Sequence, residues 1–154
     1  MVESSYSSFL GVDISETSIA QTSALMHHYL RGKSVKNFEL KCLDFLSAKL
    51  TDNSFDAIVM GEVLEHVERP DLFMKRIAAL AKSDAYIFIT TCINAPIVDH
   101  IYLFEDTRQI ADLFKQCSLV IEQELFLPYE GKTLEESFSQ RLPVSVAYVL
   151  KRAI

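Results

Sequence analysis

Two glutamates and a histidine stand close together in Glu62-x-x-Glu65-His66, and a second histidine follows in Asp99-His100-Ile101. If a turn or helix begins at Glu62, positions i, i+3 and i+4 bring both carboxylates and the imidazole to one side. Two carboxylates with imidazole suit Mg, Mn or Zn, and such an ion would polarise a substrate hydroxyl or catechol. Without a metal, the same imidazole would act as a general base or simply pack. The candidate metal ligands are therefore Glu62, Glu65, His66 and His100, and the candidate bases are His66 and His100.

A second kind of carboxylate chemistry sits near the start. Phe9 to Val12 is a short apolar run that ends in Asp13, and Ser15 is placed to cap a following helix. In nucleotide-binding α/β proteins an acidic residue ends the second strand and holds a ribose hydroxyl, while a glycine-rich turn after the first strand cradles the rest of the cofactor. Only Met1 to Ser8 precede this run, and among Gly11, Gly32, Gly61 and Gly131 no two lie near enough to form such a turn.

These residues need elements to position them, and strand-like and helix-like segments alternate along the chain. Glu16 to Arg31 sets Ile19, Met26 and Leu30 on one helical face and stops before Gly32. Asn37 to Asp44 alternates as a strand. Phe55 to Met60 is nearly continuous apolar, as a parallel strand buried on both faces would be. Pro70 suits a first helical turn, with Phe73, Ile77 and Leu80 keeping the helical period after it. Ala85 to Thr91 is a strand, and Asp106 with Gln109 resembles a capping box for a helix carrying Ile110, Leu113 and Phe114. Leu119 to Leu127 and Val144 to Leu150 are closing strands around a polar insert, in which Glu135 and Glu136 form a solvated face. The order βαβ(loop)βαβαββ predicts a mostly parallel sheet covered by helices.

Composition bounds the function. With 154 residues, 49% of them hydrophobic, the chain is long enough for one domain with a core, and no linker, repeat or low-complexity tract divides it. A net charge of -6 gives no general attraction to phosphate backbones or anionic lipid, so a small molecule is the expected partner and nucleic acid is not. Cys42, Cys92 and Cys117 are odd in number and widely spaced, which fits reduced core thiols in a cytoplasm. No apolar run reaches the roughly 20 residues of a membrane span, and Met1 to Ser8 lacks the regions of a signal peptide. A soluble protein is expected.

Three stretches carry a family resemblance: Gly11 to Ser15 (GVDIS), Leu43 to Phe45 (LDF), and Asp52 to Pro70 (DNSFDAIVMGEVLEHVERP). They resemble consecutive motifs of the class I S-adenosylmethionine-dependent methyltransferases, and with Ala85 to Thr91 and the paired final strands the likeness runs from Phe9 onward. It implies a Rossmann-like, mostly parallel sheet with helices on both faces and an antiparallel final strand. It implies that Asp13, with Ile14 beside it, meets the cofactor ribose, that Asp44 meets the adenine amino group with Phe45 along the base, and that Gly61 and Glu62 lie near the methionine part. Within the family, ubiquinone-pathway O-methyltransferases and methyltransferases of small-RNA ends carry a similar E-x-x-E-H, which points to O-methylation. Many relatives without a metal also show L-E-H-V after this strand.

The family's first strand and its glycine-rich turn are missing from the sequence. In the family order 3-2-1-4-5-7-6 that strand is central, so its loss would leave apolar edges that self-associate. A truncated methyltransferase with an incomplete cofactor site is the favoured reading, against a degenerate non-catalytic scaffold or a subunit completed by a partner. His27 and His28, adjacent on a helix, are expected at the surface. Tyr102, Phe104 and Tyr129 are divided between a substrate pocket and the core.

Overall fold

A computed structural model of the chain describes residues 8–29 and 37–153. They fall into two compact units, Met1–Lys49 and Leu50–Ile154.

In the first unit, strand β1 (Ser8–Asp13) pairs in parallel with β2 (Asn37–Cys42), with helix α1 (Glu16–Tyr29) between them in the chain. The helix starts where the sequence predicts. Ser15 Oγ accepts the Ser18 N–H at 3.2 Å, and Asp13 Oδ1 accepts the Ser15 N–H at 2.7 Å, so two side chains satisfy donors at the helix entrance. Ile19 and Met26 are half-buried on α1, whereas Leu30, Arg31 and Gly32 lie outside the described residues. Among the described residues β1 has no neighbour besides β2.

In the second unit four strands run in the order β3-β4-β6-β5. They are β3 (Phe55–Gly61), β4 (Ala81–Ile93), β5 (Leu119–Leu127) and β6 (Val144–Arg152), with helices α2 (Pro70–Leu80), α3 (Thr107–Gln116) and α4 (Leu134–Ser139) among them. β3 and β4 are parallel, while β6 runs antiparallel to both β4 and β5. This is a mixed α/β sheet of the kind the pattern predicts, with the antiparallel last strand that the family resemblance implies.

Alternation along β4 sorts its side chains. Ala85, Ile87, Ile89 and Thr91 are buried on one face, where they meet a core that includes Met74 and Ile77 of α2, Ile110 and Phe114 of α3, and Tyr148 and Leu150 of β6. Phe114 meets Tyr148 edge to face with ring centroids 5.1 Å apart. Asp106 caps α3 by accepting the Gln109 N–H at 3.0 Å, but Gln109 Oε1 returns to the Glu105 N–H at 2.9 Å, one residue before the expected reciprocal donor.

Three expectations need correction. Phe55 to Met60 is not buried on both faces. Val59 is 75% exposed, because β3 has no second neighbour among the described residues and no described side chain covers that position. The polar insert holds α4, which a complete capping box starts: Thr133 Oγ1 accepts the Glu136 N–H at 3.1 Å and Glu136 Oε2 accepts the Thr133 N–H at 2.8 Å. Cys42 is exposed rather than core, since it ends a short two-stranded sheet, while Cys92 and Cys117 are buried; all three are unbridged.

Candidate functional site

β3 ends abruptly. Glu62 adopts a left-handed backbone (φ 50°), uncommon for a residue with a Cβ, and its N–H donates to Thr90 O at 3.0 Å and lies 3.2 Å from Thr90 Oγ1. Gly61 permits this approach, for a Cβ there would lie 3.3 Å from Thr90 Oγ1. The chain then turns through a single 3-10 turn, Leu64–His66, and not an α-helix.

That turn buries Glu65 to 1% exposure. Its carbonyl accepts two N–H groups, from Ile101 at 2.8 Å and Tyr102 at 2.9 Å, which clamp the 94–104 loop against the turn. The clamp brings His100 to His66, with ring centroids 4.9 Å apart, edge to face. Each imidazole spends its Nδ1 on a backbone carbonyl: His66 on Asp99 O at 2.9 Å, His100 on Ala95 O at 2.6 Å. A carbonyl only accepts, so each Nδ1 carries the proton, and in the neutral ring each Nε2 is left with a lone pair.

The Glu65 side chain is held at one oxygen only. Thr91 Oγ1 donates to Oε2 at 2.7 Å, while Oε1 is buried without a hydrogen-bond partner. The metal-capable atoms of the site form two overlapping groups that share Glu65. In the first it joins His66 and His100, and in the second Glu62 and Cys92, with the ligand atoms of each group within 4.8 Å of one another. The sequence-predicted set of Glu62, Glu65, His66 and His100 is thus divided, since Glu62 reaches Glu65 from the side of Cys92.

Electrostatics follow from this crowding. Burial raises the Glu62 carboxyl above its ordinary value, against a lowering contribution from Thr90, and the Glu65 charge adds to the rise. Burial, then the charges of Glu65 and Glu62, push the Cys92 thiol up to about 12. Glu62 also lines a depression of about 160 Å³ with Thr90, Leu125, Leu127, Ser145 and Ala147.

Thr91 and Cys92 were not singled out for the site from sequence. A signal for Thr91 was present, because the alternation that buries Ile87 and Ile89 also buries Thr91, and a buried hydroxyl needs a partner.

In the first unit Asp13 and Asp44 are both exposed, at or just after the carboxyl ends of β1 and β2. Asp44 Oδ1 accepts the Leu46 N–H at 3.0 Å, as Asp13 Oδ1 accepts that of Ser15. The other oxygen of each accepts nothing from the described residues and is an acceptor suited to hydroxyl and amino donors. Ile14 is 76% exposed and Phe45 half-buried. Of the aromatic candidates, Phe104 is core at 1% exposure, while Tyr102 and Tyr129 remain exposed. His27 and His28 are exposed near the end of α1.

Comparison with known proteins adds three findings. The methyltransferase domain family matches residues 1–89. A ubiquinone biosynthesis O-methyltransferase, mitochondrial, of Dictyostelium discoideum is 29% identical over 102 residues, which cover 62% of this chain and 31% of that protein. The chain therefore spans about a third of the length of that curated relative. Among solved structures, a putative sarcosine dimethylglycine methyltransferase from Galdieria sulphuraria superposes with a TM-score of 0.74 at 16% identity, covering 95% of this chain and 70% of that one. A Haemonchus contortus phosphoethanolamine N-methyltransferase 2 in complex with S-adenosyl-L-methionine gives 0.68 at 12%, covering 94% and 43%. Among the described residues no helix is long and apolar enough to cross a membrane.

Proposed function

The chain belongs to the methyltransferase domain family, and from that premise we propose that it serves S-adenosylmethionine-dependent methylation of an oxygen atom on a small molecule. The observation that carries the acceptor half is the imidazole pair, in which His66 and His100 each give Nδ1–H to a carbonyl and keep Nε2 as a proton acceptor. The name of the Dictyostelium relative favours oxygen, and the net charge of -6 favours a small molecule over RNA.

S-adenosylmethionine, when bound, supplies an electrophilic methyl on a sulfonium. Toward it, the exposed carboxylates of Asp13 and Asp44 would accept from ribose hydroxyls and the adenine amino group, with Ile14 and Phe45 beside them, and Gly61 and Glu62 would face the methionine part. His66 or His100 would take the proton of the acceptor hydroxyl at Nε2 as oxygen becomes the nucleophile. As the alternative to a free imidazole base, the unpartnered Oε1 of Glu65 supports a divalent cation at Glu65, reached by His66 and His100 on one side and by Glu62 on the other, and such an ion would lower the pKa of a coordinated hydroxyl. The three unbridged cysteines support a reducing compartment, for which the cytoplasm is our reading. In this reading the chain belongs to one methyltransferase domain and self-associates through sheet edges.

The test is transfer of a labelled methyl from S-adenosylmethionine to a panel of catechols, alcohols and amines. Transfer to oxygen that falls at least a hundredfold in His66→Ala or His100→Ala supports the reading, by the usual worth of a general base. Transfer to nitrogen only, tight binding of a nicotinamide cofactor alone, or full activity in the double variant overturns it. Binding of neither cofactor favours the non-catalytic scaffold.

A further inference from the structure

Cys92 reads from the sequence as a small core residue, and in the structure its sulfur lies beside the buried carboxylate of Glu65. Cys92 is 8% exposed, and Sγ belongs to a three-atom group with the carboxylates of Glu62 and Glu65. We propose that Cys92, Glu62 and Glu65 bind a thiophilic divalent cation of the zinc class, which magnesium does not replace. This rests on the reading of the site as a cation site, and narrows it to one kind of ion and to the ligand group that contains Cys92.

Features of all three ligands converge on this group. Glu65 Oε1 is buried with no hydrogen-bond partner, and a buried carboxylate oxygen in that state lacks the compensation that native interiors supply. Thr91 holds the other oxygen at 2.7 Å, which orients Oε1 and leaves it available. The sulfur is uncommitted: His100 Nδ1 lies 3.7 Å from it, but the proton on that nitrogen goes to Ala95 O at 2.6 Å. The left-handed backbone of Glu62, held by Thr90, turns the third ligand toward the same point instead of continuing β3 outward.

The chemistry of the donors selects the ion. Magnesium demands oxygen ligands in near-octahedral array, whereas zinc accepts sulfur and oxygen together in a tetrahedral one. Ligand atoms within 4.8 Å of one another need only small rotamer changes to reach one ion. On binding, the thiol releases its proton to solvent as the metal–sulfur bond forms, and the fourth position is open to water or an acceptor oxygen from the depression that Glu62 lines.

Cobalt(II) is the probe, in a Cys42→Ser background that removes the exposed thiol. We expect a sulfur-to-cobalt charge-transfer band that saturates at one equivalent, is displaced by zinc, and persists in excess magnesium. Cys92→Ser should abolish the band and weaken cobalt binding at least tenfold, and Glu65→Gln should weaken it similarly. Zinc X-ray absorption of the unsubstituted protein reads the same point without a variant, as a sulfur shell at about 2.3 Å. Cobalt bound without the band, or a spectrum unchanged by Cys92→Ser, overturns the proposal but leaves a nitrogen and oxygen cation site standing. Failure to take up cobalt, zinc or magnesium overturns both.

Discussion

His66 and His100 meet edge to face at 4.9 Å because one backbone oxygen, that of Glu65, holds the loop bearing His100 against the turn bearing His66. The arrangement couples the chemistry of the site to the integrity of the loop. Four expected outcomes follow from this and from other contacts among the described residues.

Thr91→Val removes the hydroxyl that donates to Glu65 Oε2 and leaves a buried carboxylate without its protein partner. The variant should lose about 1–3 kcal/mol in urea unfolding, and Thr91→Ser should recover most of it. Equal losses in both would mean that the methyl group, and not the hydrogen bond, stabilises this position.

Asp13→Ala removes a strand-end carboxylate whose second oxygen accepts nothing from the described residues. Binding of S-adenosylhomocysteine, measured by calorimetry, should weaken by about 1.5–3 kcal/mol, the worth of a charge-assisted hydrogen bond. Unchanged affinity would leave Asp13 as only the acceptor for the Ser15 N–H.

Glu62 has its carboxyl raised by burial and by the Glu65 charge, so across the window from its ordinary value up to the raised one the folded state holds more proton than the unfolded chain. Stability in this window therefore falls as pH rises. Glu62→Gln should flatten that fall in denaturation curves taken through mildly acidic pH, and a slope identical to the parent's would assign the effect to other groups.

Val59 and Phe88 are cross-strand partners and both exposed, at 75% and 40%, on a sheet whose β3 edge has no second neighbour among the described residues. Self-association should appear in light scattering, and Val59→Lys should shift the distribution toward monomer. A monodisperse parent protein would show that this edge is covered in solution.

Much of the fold was legible because local pattern governs it. Leu119 to Leu127 forms its strand over the predicted span, Pro70 opens α2 and Asp106 caps α3, since alternation, proline geometry and capping act within a few residues. The short α4 was equally local, and Thr133 with Glu136 spelled its box inside a stretch read only for polarity.

The sequence by itself determined which side chains were available for chemistry: the strand-end carboxylates, the E-x-x-E-H run, and the family that the chain belongs to. Only the tertiary structure decided which of them meet. Cys92 joins Glu62 and Glu65 because the pairing of β3 with β4 sets Gly61 opposite Thr90, just ahead of it, and His100 joins His66 because a loop folds back on a carbonyl. Such contacts depend on register and loop closure between segments far apart in the chain, and no spacing within one segment encodes them.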